Sequence, residues 1–163
     1  MAKRKSAKTP KWLKFIPVVL AVVVVVAMFL DGIVYSSKLG TGSNTSYSCW
    51  NIIFGYKATA DAGVATANMQ IFNFSILNMI AFVLPILGAL LQLSKSKALK
   101  LVGAVCALGG TIMMFLMPNM LVYADGMKTV YSIFNTGLGV GCIIGGVVAG
   151  IETLVIGYEV IAK

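Results

Sequence analysis

Apolar residues in this chain occur in long, nearly unbroken runs rather than in the alternating or three-to-four-residue patterns of soluble proteins. Four runs are long enough for a helix that crosses a bilayer, which needs about 20 apolar residues. They cover residues 15–35, 69–93, 101–124 and 130–158. Backbone polar groups in lipid must pair within their own segment. We therefore predict a transmembrane helix for each run, even for the valine-rich first one.

Polar segments separate these runs. They are a basic terminus at 1–14, a loop at 36–68, turns at 94–100 and 125–129, and a tail at 159–163. Short connections join antiparallel neighbours. The pattern predicts an all-α integral membrane protein, an antiparallel four-transmembrane-helix bundle with one longer outer loop. Within that loop we expect a short hairpin near residues 49–57 and, over 58–70, an outward extension of the second helix.

Composition supports a membrane environment, because 59% of the residues are hydrophobic, 11% are charged and the mean hydropathy is +0.93. The lipid bilayer is therefore the first expected partner. The first run, preceded by lysines, also fits a secretory signal peptide cleaved near Ser36. Asp31 and the bulky residues before it disfavour that cleavage site, so we expect a retained helix.

Basic residues predict the orientation. Ten of the thirteen lysines and arginines lie in 1–14, 94–100 and 159–163, and only Lys38, Lys57 and Lys128 lie elsewhere. Both termini are therefore expected in the cytoplasm, in a multi-pass protein of the plasma membrane. In this interpretation the net charge of +8 comes from lysines and arginines that set the orientation of the helices in the membrane. Nucleic acid is not an expected partner, because the basic residues are not gathered on a folded face.

Catalytic chemistry has few candidate residues. The chain has no histidine, the commonest general base and metal ligand. Asp31, Asp61 and Asp125 fall at or beyond the predicted outer surface. We therefore expect a protein that is not an enzyme and has no cofactor or metal. Cys49 is predicted to lie outside, and Cys106 and Cys142 in mid-span, so Cys49 has no expected partner. A Cys106–Cys142 bridge is conceivable if their helices pack together, but we expect two buried thiols at a helix contact.

One methionine pattern offers a metal hypothesis. Met113-x-x-x-Met117, followed by Gly137-x-x-x-Gly141, resembles the eukaryotic copper-uptake family and implies Cu(I) binding by thioethers. That family has three spans and a metal-collecting outer amino terminus, whereas this chain has four predicted spans and a lysine-rich start. We expect these methionines to pack between helices.

The last run is rich in glycine, which lets helix backbones approach closely in lipid. On a helical projection these glycines fall on two nearly opposite faces, which predicts two close neighbours. One face holds Gly137, Gly141, Gly145 and Glu152, and the other holds Gly139, Gly146 and Gly150. An ionised carboxylate facing lipid is costly, so Glu152 should face protein, paired with Lys95, Lys97 or Lys100. Glu159 is expected in the wet interface, beside Lys163.

Asn73 and Asn78 of the second run are the other intramembrane polar residues, and they are expected to hold helices together or to line a polar cavity. Chain length, glycine content and a single carboxylate resemble the proteolipid rings of rotary ATPases. Those rings, however, carry the glycines and the carboxylate on different helices.

The order of segments resembles claudin-type tetraspan proteins, with cytoplasmic termini, a long first outer loop and a shorter second one. Cys49-Trp50 matches part of that family's loop signature. A single loop cysteine cannot form the disulfide that the signature implies, so the likeness covers architecture only.

The sequence thus predicts a non-catalytic interaction or structural subunit. It would bind a protein partner, or form a homo-oligomer, through its glycine-lined fourth helix. The alternative is a small transporter or channel using Asn73, Asn78 and Glu152 along a polar path.

Overall fold

The computed structural model of the chain describes residues 11–38, 44–61 and 66–161. Most of the predicted basic terminus, short parts of the long loop and Lys163 lie outside these ranges. The described chain is mostly helical, but five strands accompany the helices. The all-α prediction is therefore wrong, because β-structure forms a layer at one end of the helices.

Four helices make up the larger part of the fold. They are α1 (Ile16–Ala27), α3 (Ile76–Gln92), α4 (Lys97–Phe115) and α6 (Val140–Ile161), and a 3₁₀ turn at Lys11–Phe15 leads into α1. Pro17 suits the first turn of α1, where its missing N–H costs no hydrogen bond. Neighbouring helices pack in the cyclic order α1, α3, α4, α6, and α3 also contacts α6 across the bundle.

Two of these helices, α4 with 19 residues and α6 with 22, are long and apolar enough to cross a membrane by length and composition. At 1.5 Å per residue they measure about 28 and 33 Å, close to the thickness of the hydrocarbon core. The helix α3 and the segment Trp12–Ala27 are apolar but shorter.

Each helix covers only part of the hydrophobic run that predicted it. α1 ends at Ala27, and the remainder of its run contains strand β1 (Asp31–Ser37). Ile33 and Tyr35 of β1 are buried on one face while Val34 is only partly covered, a period-two pattern that favours a strand. Likewise, α3 begins only at Ile76, α4 ends at Phe115 and α6 begins at Val140.

The residues left over build the second part of the fold, called here the outer layer. It contains β1, β2 (Thr45–Ser48), α2 (Cys49–Phe54), β3 (Tyr56–Asp61), β4 (Thr66–Phe72), α5 (Met127–Tyr131) and β5 (Phe134–Leu138). β1 is the middle strand of an antiparallel sheet with the order β2, β1, β5. β3 and β4 form a hairpin. The predicted hairpin at 49–57 is thus mainly helix α2, and the predicted helix over 58–70 is mainly this hairpin.

The outer layer has its own aromatic core. Tyr35 and Tyr123 share a 2.8 Å hydroxyl hydrogen bond, and Tyr47 and Tyr131 share one of 2.6 Å. Phe72 packs edge to face on Tyr47. These contacts join the connection between α1 and α3 to the connection between α4 and α6. Since that connection contributes α5 and β5, it is longer than the predicted turn at 125–129.

Candidate functional site

Glu152 lies at the centre of the contacts among α3, α4 and α6. Its side chain is buried, and neither carboxylate oxygen has a hydrogen-bond partner among the described residues. A Cβ atom on Gly88 would stand 3.2 Å from Glu152 Oε1 and 2.7 Å from the carbonyl oxygen of Gly103. The close approach of α3 and α4 thus depends on glycine at position 88, and it encloses the carboxylate.

A second polar group lies two turns further along α6. Lys100 Nζ donates to Glu159 Oε2 at 2.7 Å, and Gln92 Nε2 donates to the same oxygen at 2.6 Å. All three side chains are buried. Glu159 is therefore not in the wet interface as predicted. Lys95 and Lys97 are exposed.

The register of α4 and α6 explains why Lys100 pairs with Glu159 and not with Glu152, because Thr111 lies near Gly150 and Lys100 is about three turns further toward the level of Glu159. The direction of helical side chains adds to this effect. Cα–Cβ bonds tilt toward the amino terminus of their helix. α4 and α6 run in opposite directions, so Lys100 leans toward the level of Glu159, and Glu159 leans toward Lys100. Glu152 leans away from both. The predicted lysine partner of Glu152 is absent among the described residues for this reason.

Asn78 and Asn73 lie near the outer layer. Asn78 is buried and donates from Nδ2 to the Met120 carbonyl at 3.4 Å, while its Oδ1 has no partner in the described chain. Asn73 precedes α3, accepts a 2.7 Å hydrogen bond from Gln70 and donates to the Tyr123 carbonyl. It therefore connects loops, outside any helix.

Apolar side chains separate Asn78 from Glu152. Phe82 and Met114 are fully buried. A Cβ on Gly145 would lie 3.0 Å from Met114 Sδ and 3.6 Å from the Phe82 ring. Asn78 and Gly88 are ten positions apart in α3, which corresponds to about 15 Å along the helix. The structure thus brings Glu152 close to Gly88 but does not join it to Asn78 or Asn73.

The glycines of the predicted interface have different surroundings. Gly137 lies in β5 opposite Val34, and a Cβ on Gly139, just before α6 begins, would clash with the Asp31 carbonyl. A Cβ on Gly141 would meet the carbonyl oxygen of Ala27 at 2.6 Å. Most of these six glycines are thus already covered by the chain itself.

The glycines of α6 lose their cover only after Gly146. At Gly145 and Gly146 a Cβ would meet Met114 and the Phe115 ring, both from α4. At Gly150 only a methyl of Thr111 lies near, at 3.8 Å, and at Gly157 nothing lies within 4 Å. Close packing on this face of α6 therefore ends before its last turns, whereas Ile156 and Glu159 on another face are buried.

The outer layer also has a cleft of about 510 Å³ where β1 meets the start of β5. It is lined by Ser37, Lys38, Ser132, Ile133 and Phe134. Lys38 Nζ donates to the Ser132 carbonyl at 2.7 Å. This bond joins the connection between α1 and α3 to the connection between α4 and α6.

The sequence did not predict the roles of Gln92, Lys100 and Glu159, nor the proximity of Cys49 and Cys142. Helical spacing is the sequence signal that could have indicated the polar group of Gln92, Lys100 and Glu159. Gln92 follows Gly88 by four residues, and Glu159 follows Glu152 by seven. Each pair shares a helix face.

Comparison with known proteins finds no matching family model, no matching curated protein and no matching solved structure.

Proposed function

We propose that the chain is a multi-pass membrane protein that acts as a non-catalytic interaction or structural subunit. In this proposal α1, α3, α4 and α6 cross the bilayer as an antiparallel bundle. The outer layer lies on the extracytoplasmic side, and the α3–α4 turn with Lys95 and Lys97 lies in the cytoplasm.

Apolar side chains on the outward helix faces support membrane insertion. Val19 of α1, Val105 of α4 and Leu154 of α6 expose 63%, 63% and 73% of their surface. Soluble monomers rarely expose contiguous apolar patches of more than a few hundred Å². A lipid environment accounts for such faces on several neighbouring helices.

Aromatic residues at both ends of the helices also support it. Trp12 and Phe15 are exposed where α1 begins, and Trp50, Phe54 and Phe74 are exposed beside the outer layer. Tryptophan and other aromatic side chains are enriched at the two membrane–water interfaces. The helical segment from Trp12 to Ala27 connects these two levels.

The proposal of a subunit role rests on one observation. Gly150, Thr153 and Gly157 form a strip on the last turns of α6. All three residues are only partly buried, and a Cβ on Gly157 would meet no atom within 4 Å. The Thr153 hydroxyl donates to the Ala149 carbonyl and needs no outside partner. Such a strip of low relief suits close contact with a further transmembrane helix.

The test uses Gly157→Leu, with Gly157→Ala as the matched control. Wild-type chain and Gly157→Ala are expected to migrate in mild detergent as assemblies larger than one chain, whereas Gly157→Leu is expected to migrate as a folded monomer. A wild-type monomer that crosslinks to nothing in native membranes would contradict the subunit proposal.

A small transporter remains the second candidate, favoured by the buried Glu152 carboxylate without a hydrogen-bond partner in the described chain. Intramembrane carboxylates commonly mark ion or proton paths. The apolar layer of Phe82 and Met114 argues against a continuous polar path. Flux driven by a pH gradient in proteoliposomes, lost in Glu152→Gln, would support transport, and equal flux in both proteins would exclude it.

A further inference from the structure

Two cysteines far apart in sequence meet where the outer layer joins the helices. Cys49 is the first residue of α2, and Cys142 lies in the first turn of α6. Their Sγ atoms are 3.7 Å apart and both side chains are fully buried. Cys142 was predicted in mid-span because the last predicted helix begins at residue 130. Since α6 begins at Val140, Cys142 lies at the level of Cys49.

The backbone around Cys49 is held by hydrogen bonds. The N–H of Cys49 donates to the Leu30 carbonyl at 3.0 Å, and the N–H of Trp50 donates to the Met28 carbonyl at 2.8 Å. These bonds attach the start of α2 to the end of α1. The position of Cys49 is therefore set by the backbone and not by its side chain alone.

Two glycines leave room for the Cys49 sulfur. A Cβ on Gly32 would stand 2.8 Å from Cys49 Sγ, and a Cβ on Gly141 would stand 3.0 Å from it. Larger residues at either position would push the sulfur away. The two glycines thus make space for the Cys49 sulfur, which contacts the Cys142 sulfur at a position buried from water.

We propose that Cys49 and Cys142 are joined by a disulfide bond in the native protein. Oxidation removes one proton and one electron from each thiol and forms the S–S bond. The electron pair passes to an external disulfide oxidant, such as a thiol oxidoreductase or oxidised glutathione, which leaves as two thiols. The oxidising compartment that this requires rests on the proposed extracytoplasmic position of the outer layer.

The bond is expected to form while the chain folds. In the folded chain the hydrogen bond with Cys142, and then burial, raise the pKa of the Cys49 thiol well above its ordinary range. The thiolate is the reactive form in disulfide exchange. A reduced, folded chain would therefore oxidise slowly, and the bond would close before α2 docks on the helices.

A soft metal ion is the competing occupant. Cys142 Sγ donates to Met117 Sδ at 3.1 Å, so three sulfur atoms are gathered, and two thiolates with a thioether suit Cu(I). Direct contact of Cys142 with both other sulfurs favours the disulfide. An ion would need an opening among sulfurs that already touch, and a disulfide needs only a closer approach of two of them.

The test is peptide mapping of wild-type chain that is extracted from native membranes and unfolded in denaturant at mildly acidic pH with excess N-ethylmaleimide, so that buried free thiols are labelled too. Fragments containing Cys49 and Cys142 are expected to be linked, and only Cys106 to carry the label. Reduction should lower the melting temperature by about 10 °C. The Cys49→Ser/Cys142→Ser variant should show no such dependence, and Cys106→Ser should keep the link.

Label on both Cys49 and Cys142 would overturn the proposal, as would copper retained by a chain with both thiols reduced. Labelling of the exposed Lys57 by an impermeant amine reagent on intact cells identifies which claim has failed. A reduced pair with Lys57 labelled overturns the disulfide and leaves the topology standing. A reduced pair with Lys57 protected overturns both.

Discussion

Lys100 of α4 and Glu159 of α6 form a 2.7 Å salt bridge in which both side chains are almost completely buried. Gln92 donates to the same carboxylate oxygen from α3. Three helices therefore meet at one charged group. Breaking a buried ion pair by removing one partner is costly, although the intact pair contributes little compared with apolar residues of equal volume.

The first prediction follows from that asymmetry. Lys100→Met should destabilise the folded chain by about 3–5 kcal/mol, because Glu159 is left buried without its cation. The double variant Lys100→Met/Glu159→Leu should recover most of the loss. Thermal unfolding in detergent measures both. Equal losses in the single and the double variant would show that the pair is not a buried unit.

The same substitution at the two glutamates should have opposite effects. Glu152→Met removes a buried carboxyl group without a hydrogen-bond partner in the described chain and should stabilise by about 1 kcal/mol or more. Glu159→Met should destabilise, since it leaves Lys100 unpaired. Melting temperatures of the two variants provide the comparison. A loss of stability in Glu152→Met would show that its carboxylate has a partner, such as a bound cation.

Alanine substitutions separate the glycines that are needed for packing from those that are not. Gly88→Ala should cost about 1–3 kcal/mol, since the new Cβ would stand 2.7 Å from the Gly103 carbonyl and must push α3 from α4. Gly157→Ala should be neutral or stabilise by up to about 1 kcal/mol, because alanine favours helix and nothing lies nearby. Chemical unfolding of the two variants measures the difference. Similar values would mean that α3 and α4 are not in close contact.

The outer layer should lose stability at alkaline pH. Burial, and then the hydrogen bond with Tyr131, raise the pKa of Tyr47 above its ordinary value of about 10. The unfolded chain therefore releases a proton that the folded chain retains. The stabilising contribution is complete below about pH 10 and falls as the pH rises beyond it.

Tyrosinate absorbance measured together with near-UV circular dichroism tests this prediction. Tyr47→Phe should lose about 1 kcal/mol at neutral pH, because Tyr131 loses its partner, and the gap to wild type should narrow at high pH. The control Tyr158→Phe changes an exposed ring and should not alter the profile. An alkaline transition of equal size in Tyr47→Phe would contradict the assignment to Tyr47.

Hydrophobic runs predicted where the helices lie but not where they end. Residues 31–35 and 130–139 are less apolar than the helices beside them, but they keep apolar side chains such as Ile33, Val34 and Ile133. A long hydropathy window therefore runs through them and does not mark the change from helix to strand. Pairing between distant segments decides it, as in the contact of Ile33 with Leu138. Sequence periodicity carries no information on such contacts.

The candidate site was predictable in part. The cost of a charge in lipid correctly indicated that Glu152 is buried. Its surroundings were not predictable, because the register between α4 and α6 places Lys100 beside Glu159 and the sequence does not show that register. The contact of Cys49 with Cys142 depended on the first residue of α6, which hydropathy placed ten positions too early.

Membrane insertion with the outer layer on one side is the central claim, and lysine labelling tests it most directly. Intact cells and opened membranes are treated with an impermeant amine reagent, and labelled residues are identified by mass spectrometry. We predict that Lys57 and Lys128 are labelled in intact cells and that Lys95 and Lys97 are labelled only after the membrane is opened. Equal labelling of all four lysines before opening, or release of the chain from membranes by alkaline carbonate, would contradict the account.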